Sequence, residues 1–160
     1  MSSLPWRHSV RALLLTAEGA VLLGQHRTPG GFVWAAPGGG VEWGESGLDA
    51  LRRELREEVG LELNGKEPVH VWHQKIRDST IAPGFKGVVN DYYLVRIDRF
   101  EHRGELAPDA LQAEGLEGFA WWSAEAIRLH PDQLFSPRDL ATLLPSITHD
   151  TPPAPVLLTV

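Results

Sequence analysis

Apolar and polar positions divide the chain into short blocks, and the blocks imply their own secondary structure. Val10-Arg-Ala-Leu-Leu-Leu-Thr and Ala20-Val-Leu-Leu-Gly-Gln flank the polar pair Glu18-Gly19, a pattern that predicts a β-hairpin with a short turn. A loop from Arg27 to Gly31 leads to Phe32-Val-Trp-Ala-Ala, a short strand ending at Pro37. Gly38-Gly39-Gly40 follows, where the backbone must adopt something that only glycine adopts cheaply.

The strongest helix runs from Glu45-Ser46 to Val59. Ser46 is placed as its N-cap and Gly60 as a left-handed C-cap. Leu48, Leu51, Leu55 and Val59 recur at helical spacing and give it one buried stripe. Pro68 to Arg77 and Gly87 to Ile97 read as strands, the second around the β-forming run Tyr92-Tyr93-Leu94-Val95. Gly118 to Ser123 reads as another, with helices near Ala124 to Leu129 and Pro137 to Leu144. From Thr151 onward three prolines in five residues predict an extended, loosely held tail. The expectation is an α/β fold, a mixed sheet between helices, with residues 1–150 as one domain and 151–160 as a Pro-rich tail.

Composition narrows the function classes. The chain has no cysteine, which excludes disulfides, thiolate zinc sites and thiol nucleophiles. A formal charge of −6 argues against broad nucleic-acid binding, which needs a basic surface. An acidic protein still acts on an anionic substrate if it first loads divalent cations. Met1 to Pro5 does not resemble the start of a signal peptide, and no window approaches the roughly 20 apolar residues of a membrane helix. The expected location is therefore the cytoplasm, with no membrane contact.

The segment Gly39 to Leu61 carries the chemistry. It reads Gly39, five residues, Glu45, seven residues, then Arg53-Glu-Leu-Arg-Glu-Glu-Val-Gly-Leu61. On a helix Glu54, Glu57 and Glu58 stand at i, i+3 and i+4 and share one face beside the leucine stripe. Three carboxylates this close repel and raise one another's pKa. Mg²⁺ or Mn²⁺ resolves the conflict, since hard cations prefer carboxylate oxygens and keep positions for water and phosphate. Arg53 is expected on a different face from these acids, paired with Glu45 across the loop. A charge-rich helix is often only a solvated surface. The fixed spacing argues otherwise, because a chance match to seven specified residues and two apolar positions has a probability on the order of 10⁻⁷.

This segment resembles the Nudix box of the Nudix hydrolase family at every specified position. Trp34-Ala-Ala-Pro-Gly-Gly39 is similar to the family's lead-in, and Gly118-Phe-Ala-Trp-Trp-Ser-Ala-Glu125 resembles its late strand and helix start. The resemblance implies an α/β/α sandwich and Mg²⁺-dependent hydrolysis (Mn²⁺ substituting) of a diphosphate linkage in a nucleoside diphosphate derivative, by metal-activated water. It implies Glu57 and Glu58 as main metal ligands, Glu54 as a further ligand or base, and a main-chain carbonyl near Gly38 in the metal shell. It also implies an acid from a later loop; Glu114 is the preferred candidate over its neighbours Asp109 and Glu117 and the more distant Glu105. Homodimers are frequent in the family, although no residue here specifies an interface.

Substrate recognition is less determined. Arg27 is placed to contact a phosphate, and equally to be an ordinary surface arginine. Trp34, Trp43, Trp72, Trp121, Trp122, Tyr92 and Tyr93 lie near site elements, and one of them, Trp34 for instance, is available to stack on a base. For any single one the core is the simpler role, and Trp121 and Trp122 should point to opposite faces of a strand. By the same alternation His70 and His73 should face opposite sides, so all seven histidines are expected to be non-ligands. Family subgroups with proline or tyrosine markers downstream of the box find Ile76, Arg77, Asp78 and Ser79 here instead. The rival classes are a non-catalytic nucleotide sensor, which would commonly lose box acids, and a cysteine-dependent isopentenyl diphosphate isomerase. A scaffold that merely carries the acids is the third.

Overall fold

The computed structural model describes residues 3–159. Met1 and Ser2, which open the predicted domain, and Val160, which ends the predicted tail, lie outside them. The hairpin is formed by β1 (Trp6–Leu15) and β2 (Ala20–Thr28), antiparallel around Glu18-Gly19. Then come β3 (Gly31–Ala35), β4 (Gly38–Gly40), α1 (Gly47–Val59), β5 (Val69–Ile76), β6 (Gly87–Arg96) and α2 (Pro108–Ala113). The chain closes with β7 (Leu116–Ser123), α3 (Ala124–Arg128), β8 (Leu134–Ser136), α4 (Leu140–Thr148) and β9 (Val156–Leu158). One mixed sheet runs β8-β3-β2-β1-β6-β5-β9, with β4 also on β1 and β7 also on β2.

Strand alternation explains the layers. Val10, Ala12 and Leu14 of β1 pack with Leu51, Leu55 and Val59 of α1. Leu13 and Leu15 turn to the other face, where they meet Leu140, Leu144 and Ile147 of α4. A strand covered on both sides reads as the continuous apolar run seen in the sequence. The expected helix–sheet–helix arrangement is the observed one.

The C-terminal part departs from expectation. The last helix runs from Leu140 to Thr148, past Pro145, because Leu140, Leu144 and Ile147 supply an apolar stripe stronger than the proline penalty. Pro145 has no N–H for the Ala141 carbonyl, and Arg128 Nη1 donates to that oxygen at 3.4 Å instead. The tail is extended but docked: β9 pairs in parallel with β5, and Leu158 enters the core. Arg96 holds the turn before it by donating to the carbonyls of Ile147 (2.9 Å), Thr148 (2.6 Å) and Asp150 (3.2 Å). Among the described residues no helix is long and apolar enough to cross a membrane.

Candidate active site

Helix α1 forms as its sequence predicts. Ser46 Oγ accepts from the Asp49 amide at 3.1 Å, and Gly60 closes the helix with φ 71°. Its buried face comprises Ala50, Leu51, Leu55, Val59 and also Glu58, which is only 4% exposed. The periodicity that buries the leucines therefore carries one carboxylate into the core edge. Glu54 lies one turn before it, with a side chain 12% exposed, and Glu57 is more open at 32%.

The glycine lead-in fits against these acids. Gly38 has φ +148°, and a Cβ there would collide with the Val10 carbonyl of β1. A Cβ on Gly39 would collide with the Glu54 carboxylate. Only a bare backbone lets the strand pair with β1 and still pass beside the acids.

Arg53 holds the near side of the cluster. Its Nε donates to Glu45 Oε2 at 2.8 Å and its Nη2 to Glu45 Oε1 at 2.9 Å, a two-point clasp across the loop as expected. The expectation that Arg53 stands apart from the other acids is corrected. Its Nη1 donates to Glu54 at 3.0 Å and lies 3.5 Å from Glu57, while Nη2 also reaches the Gly40 carbonyl at 3.1 Å. A guanidinium is wide enough to serve both neighbours from one position. The Arg53 hydrogen bonds, helped by the Glu42 backbone, hold the Glu45 carboxyl down to about 2.

The far side is frustrated. Burial, then the charge of Glu54, pushes the Glu58 carboxyl well above its usual range, with Arg11 and the Gly38 backbone pulling back. Glu58 Oε2 is buried without a hydrogen-bond partner. Glu57 is also raised, by partial burial and then by Glu54, with Glu114 and Glu105 adding to it. Glu105 arrives because the segment Arg103–Leu106 covers the end of α1: the amides of Arg103, Glu105 and Leu106 donate to the carbonyls of Val59, Arg56 and Glu57 at 3.0–3.1 Å. Glu114 caps the end of α2. No periodicity in 98–115 announces this packing.

Other sequence candidates divide. Arg27 is exposed and ion-paired to Glu117. Trp34 is half-buried on the α4 face, its Nε1 donating to Gln133 Oε1 at 3.0 Å and its ring 5.3 Å from Trp122. Trp72 and Tyr92 are core residues, and Trp121 and Trp122 do face opposite layers. Trp43 is fully exposed.

The expectation that His70 and His73 face opposite sides of the strand is overturned. A register shift in β5 between His70 and Trp72, a β-bulge, brings both rings to one face. His70 Nε2 and His73 Nδ1 both hydrogen-bond Asp91 Oδ1, at 2.8 and 2.6 Å. Period-two alternation does not reveal a bulge, so the sequence pattern alone placed them wrongly.

The family profile described as NUDIX domain matches residues 5–143. The RNA pyrophosphohydrolase of Bartonella henselae is 30% identical over 154 aligned positions, covering 79% of this chain and 82% of that protein. The nucleoside triphosphatase NudI of Escherichia coli SE11 is 40% identical over 87 positions, 51% of this chain and 61% of that protein. In other curated relatives the matched stretch spans as little as 38% of their length. The crystal structure of a MutT NUDIX hydrolase from Burkholderia pseudomallei superposes with a TM-score of 0.66 at 25% identity, covering 88% of this chain and 97% of that one. The chain belongs to the Nudix hydrolase family, enzymes that act on phosphoanhydride bonds and generally use a divalent metal.

Proposed function

We propose that this chain is a Mg²⁺-dependent pyrophosphohydrolase that cleaves a diphosphate linkage in a nucleoside diphosphate derivative. The single observation that carries the reading is the unresolved charge on α1: Glu54, Glu57 and Glu58 crowd one face, and the buried Glu58 Oε2 has no partner. A structural helix would neutralise such a group; a cation site needs it free. The donor set, all oxygens, fits a hard divalent ion.

In this reading Glu57 and Glu58 are the principal ligands, and Glu54 is a further ligand or the group that takes the proton from water. Gly38 contributes backbone, and Glu114 completes the shell from the end of α2. Mg²⁺, with Mn²⁺ as a substitute, would supply neutralisation of the diphosphate and a lowered pKa for the attacking water. Glu45 fixes Arg53, and Arg53 in turn orients Glu54 and Glu57. Positioning and charge neutralisation then carry most of the rate. Arg27 would contact a phosphate in competition with Glu117, whereas Trp34, packed on the layer opposite α1, serves the core.

The substrate class is a nucleoside triphosphate, nucleotide sugar, ADP-ribose or similar small molecule, in the cytoplasm. The name RNA pyrophosphohydrolase, carried by several relatives, adds a phosphoanhydride on RNA to these candidates. A phosphate-release screen with Mg²⁺ or Mn²⁺ over these compounds, with Glu57→Gln as control, tests the reading. Metal-dependent turnover lost in the variant is the expected result. A folded, metal-binding protein that binds a nucleotide and hydrolyses none of the panel would overturn it in favour of a sensor.

A further inference from the structure

A second group of ligating side chains stands on the same face of the sheet as α1. His70, His73 and Asp91 each offer one ligand atom, a ring nitrogen or a carboxylate oxygen, and these atoms all lie within 4.8 Å of one another. Their side chains are 32%, 37% and 26% exposed, so an ion and its water can reach them. The convergence depends on the β5 bulge; without it His70 and His73 would point to opposite faces. The His70 ring is further fixed by stacking on Tyr93, with centroids 5.0 Å apart and planes 22° from parallel.

Strand register separates this group from the box acids. His73 pairs with Asp91, Asp91 with Val10, and Val10 with Gly39, against which the Glu54 carboxylate rests. Asp91 is thus two strand spacings from Gly39, roughly 9–10 Å. Among the described residues no box acid joins the three ligand atoms that converge within 4.8 Å of one another.

The chemistry also differs. Two imidazoles and one carboxylate suit a borderline divalent ion, whereas the all-carboxylate cluster suits a hard one. Ligands about 2.1 Å from a tetrahedral ion stand roughly 3.4 Å apart. The present contacts of 2.8 and 2.6 Å therefore need to open by less than about 1 Å.

We infer that His70, His73 and Asp91 form a binding site for a transition-metal divalent cation, Zn²⁺ foremost, separate from the Glu54–Glu57–Glu58 cluster. The ion would replace the two hydrogen bonds on Asp91, join β5 to β6 at the bulge and keep a coordination position open to water. The inference does not rest on hydrolysis by α1.

The test is a Zn²⁺ titration of the full chain against a chromophoric chelator in excess Mg²⁺, which keeps the hard oxygen site occupied. Glu57→Gln, His70→Gln and His73→Gln are run alongside, with thermal melting as a second readout. The expected result is one Zn²⁺ bound by the native chain and by Glu57→Gln, with affinity at least ~10-fold lower in each histidine variant. Zn²⁺ should raise the melting temperature of the native chain and of Glu57→Gln, and of neither histidine variant. No zinc uptake above Mg²⁺, or uptake unchanged by the histidine substitutions, would overturn the inference. Should a histidine variant not fold, imidazole NMR of the native chain decides. Zn²⁺ must shift His70 and His73 before the other five histidines, and the reverse order would overturn the site.

Discussion

The two ends of the Nudix box use the same residue, glutamate, in opposite ways. Glu45 accepts two hydrogen bonds from Arg53, sits on the loop and is held as a carboxylate down to about 2. Glu58, on the buried side of α1, has one oxygen without a partner and is pushed upward by burial and by Glu54. The first environment sets geometry and is satisfied in the protein alone. The second is satisfied only when something positive is added, and groups held at such a cost mark sites of function.

Glu58→Gln tests that contrast most severely. It removes a ligand and should lower kcat on the order of 10³-fold, the scale of losing one essential charge-stabilising group. Metal-free, the same variant should be more stable than the native chain, because a neutral amide replaces a buried, crowded carboxylate. The melting temperature would rise by about 2–4 °C for each kcal/mol gained in a chain of this size. Added Mg²⁺ should raise the native melting temperature and leave the variant's unchanged. A metal-free variant that melts below the native chain would mean that Glu58 is stabilising as it stands, and the contrast would fail.

Arg53→Ala acts between the two ends. It frees Glu54 and Glu57 to separate and leaves Glu45 unpaired, so kcat should fall by roughly 10–100-fold while Glu57 and Glu58 still bind metal. Arg53→Lys should recover little, since one ammonium cannot make the two-point clasp and also reach Glu54. Full recovery in steady-state assays would show that only charge matters there.

Glu114→Gln set against Glu105→Gln sharpens the far side further. Both acids raise Glu57, with Glu114 ahead of Glu105. If Glu114 completes the metal shell, its variant should need about ten times more Mg²⁺ for half-maximal rate. Glu105→Gln should show a smaller change in a Mg²⁺ titration, and equal effects would remove the assignment.

What was legible in the sequence follows the range of the forces involved. Helix α1, its caps and the Glu45–Arg53 pair depend on contacts within one turn or one loop, and spacing exposed them. Sheet strands β1, β2 and β6 carried long apolar runs and were equally plain. The segment Arg103–Leu106 was not, because it is held by backbone bonds to helix-end carbonyls that any residue can make. Strand β9 was hidden by the prolines that precede it, Pro152, Pro153 and Pro155, although Leu158 packs in the core. The bulge in β5 escaped for a different reason: it breaks the periodicity from which strand faces are read, and with it went the pairing of His70 and His73 on Asp91.

The mildest test lies at the satisfied end. Glu45 has a folded pKa of about 2 against an ordinary value of 4.5, so its pairing contributes stability above pH 4.5 and loses it as pH falls toward 2. Glu45→Gln should therefore lower stability slightly at neutral pH and flatten the part of the acid limb that lies between those two values. Urea unfolding at pH 7, 4.5 and 2.5 reads this directly: the gap between native and variant should shrink toward the lowest pH. The sign at pH 7 is the opposite of that for metal-free Glu58→Gln, although the chemical change is identical. A Glu45→Gln variant that is stabilised at neutral pH would place Glu45 among the frustrated acids. The box would then lack an internally neutralised end, and the ordering of Glu54 and Glu57 would have to come from the metal itself.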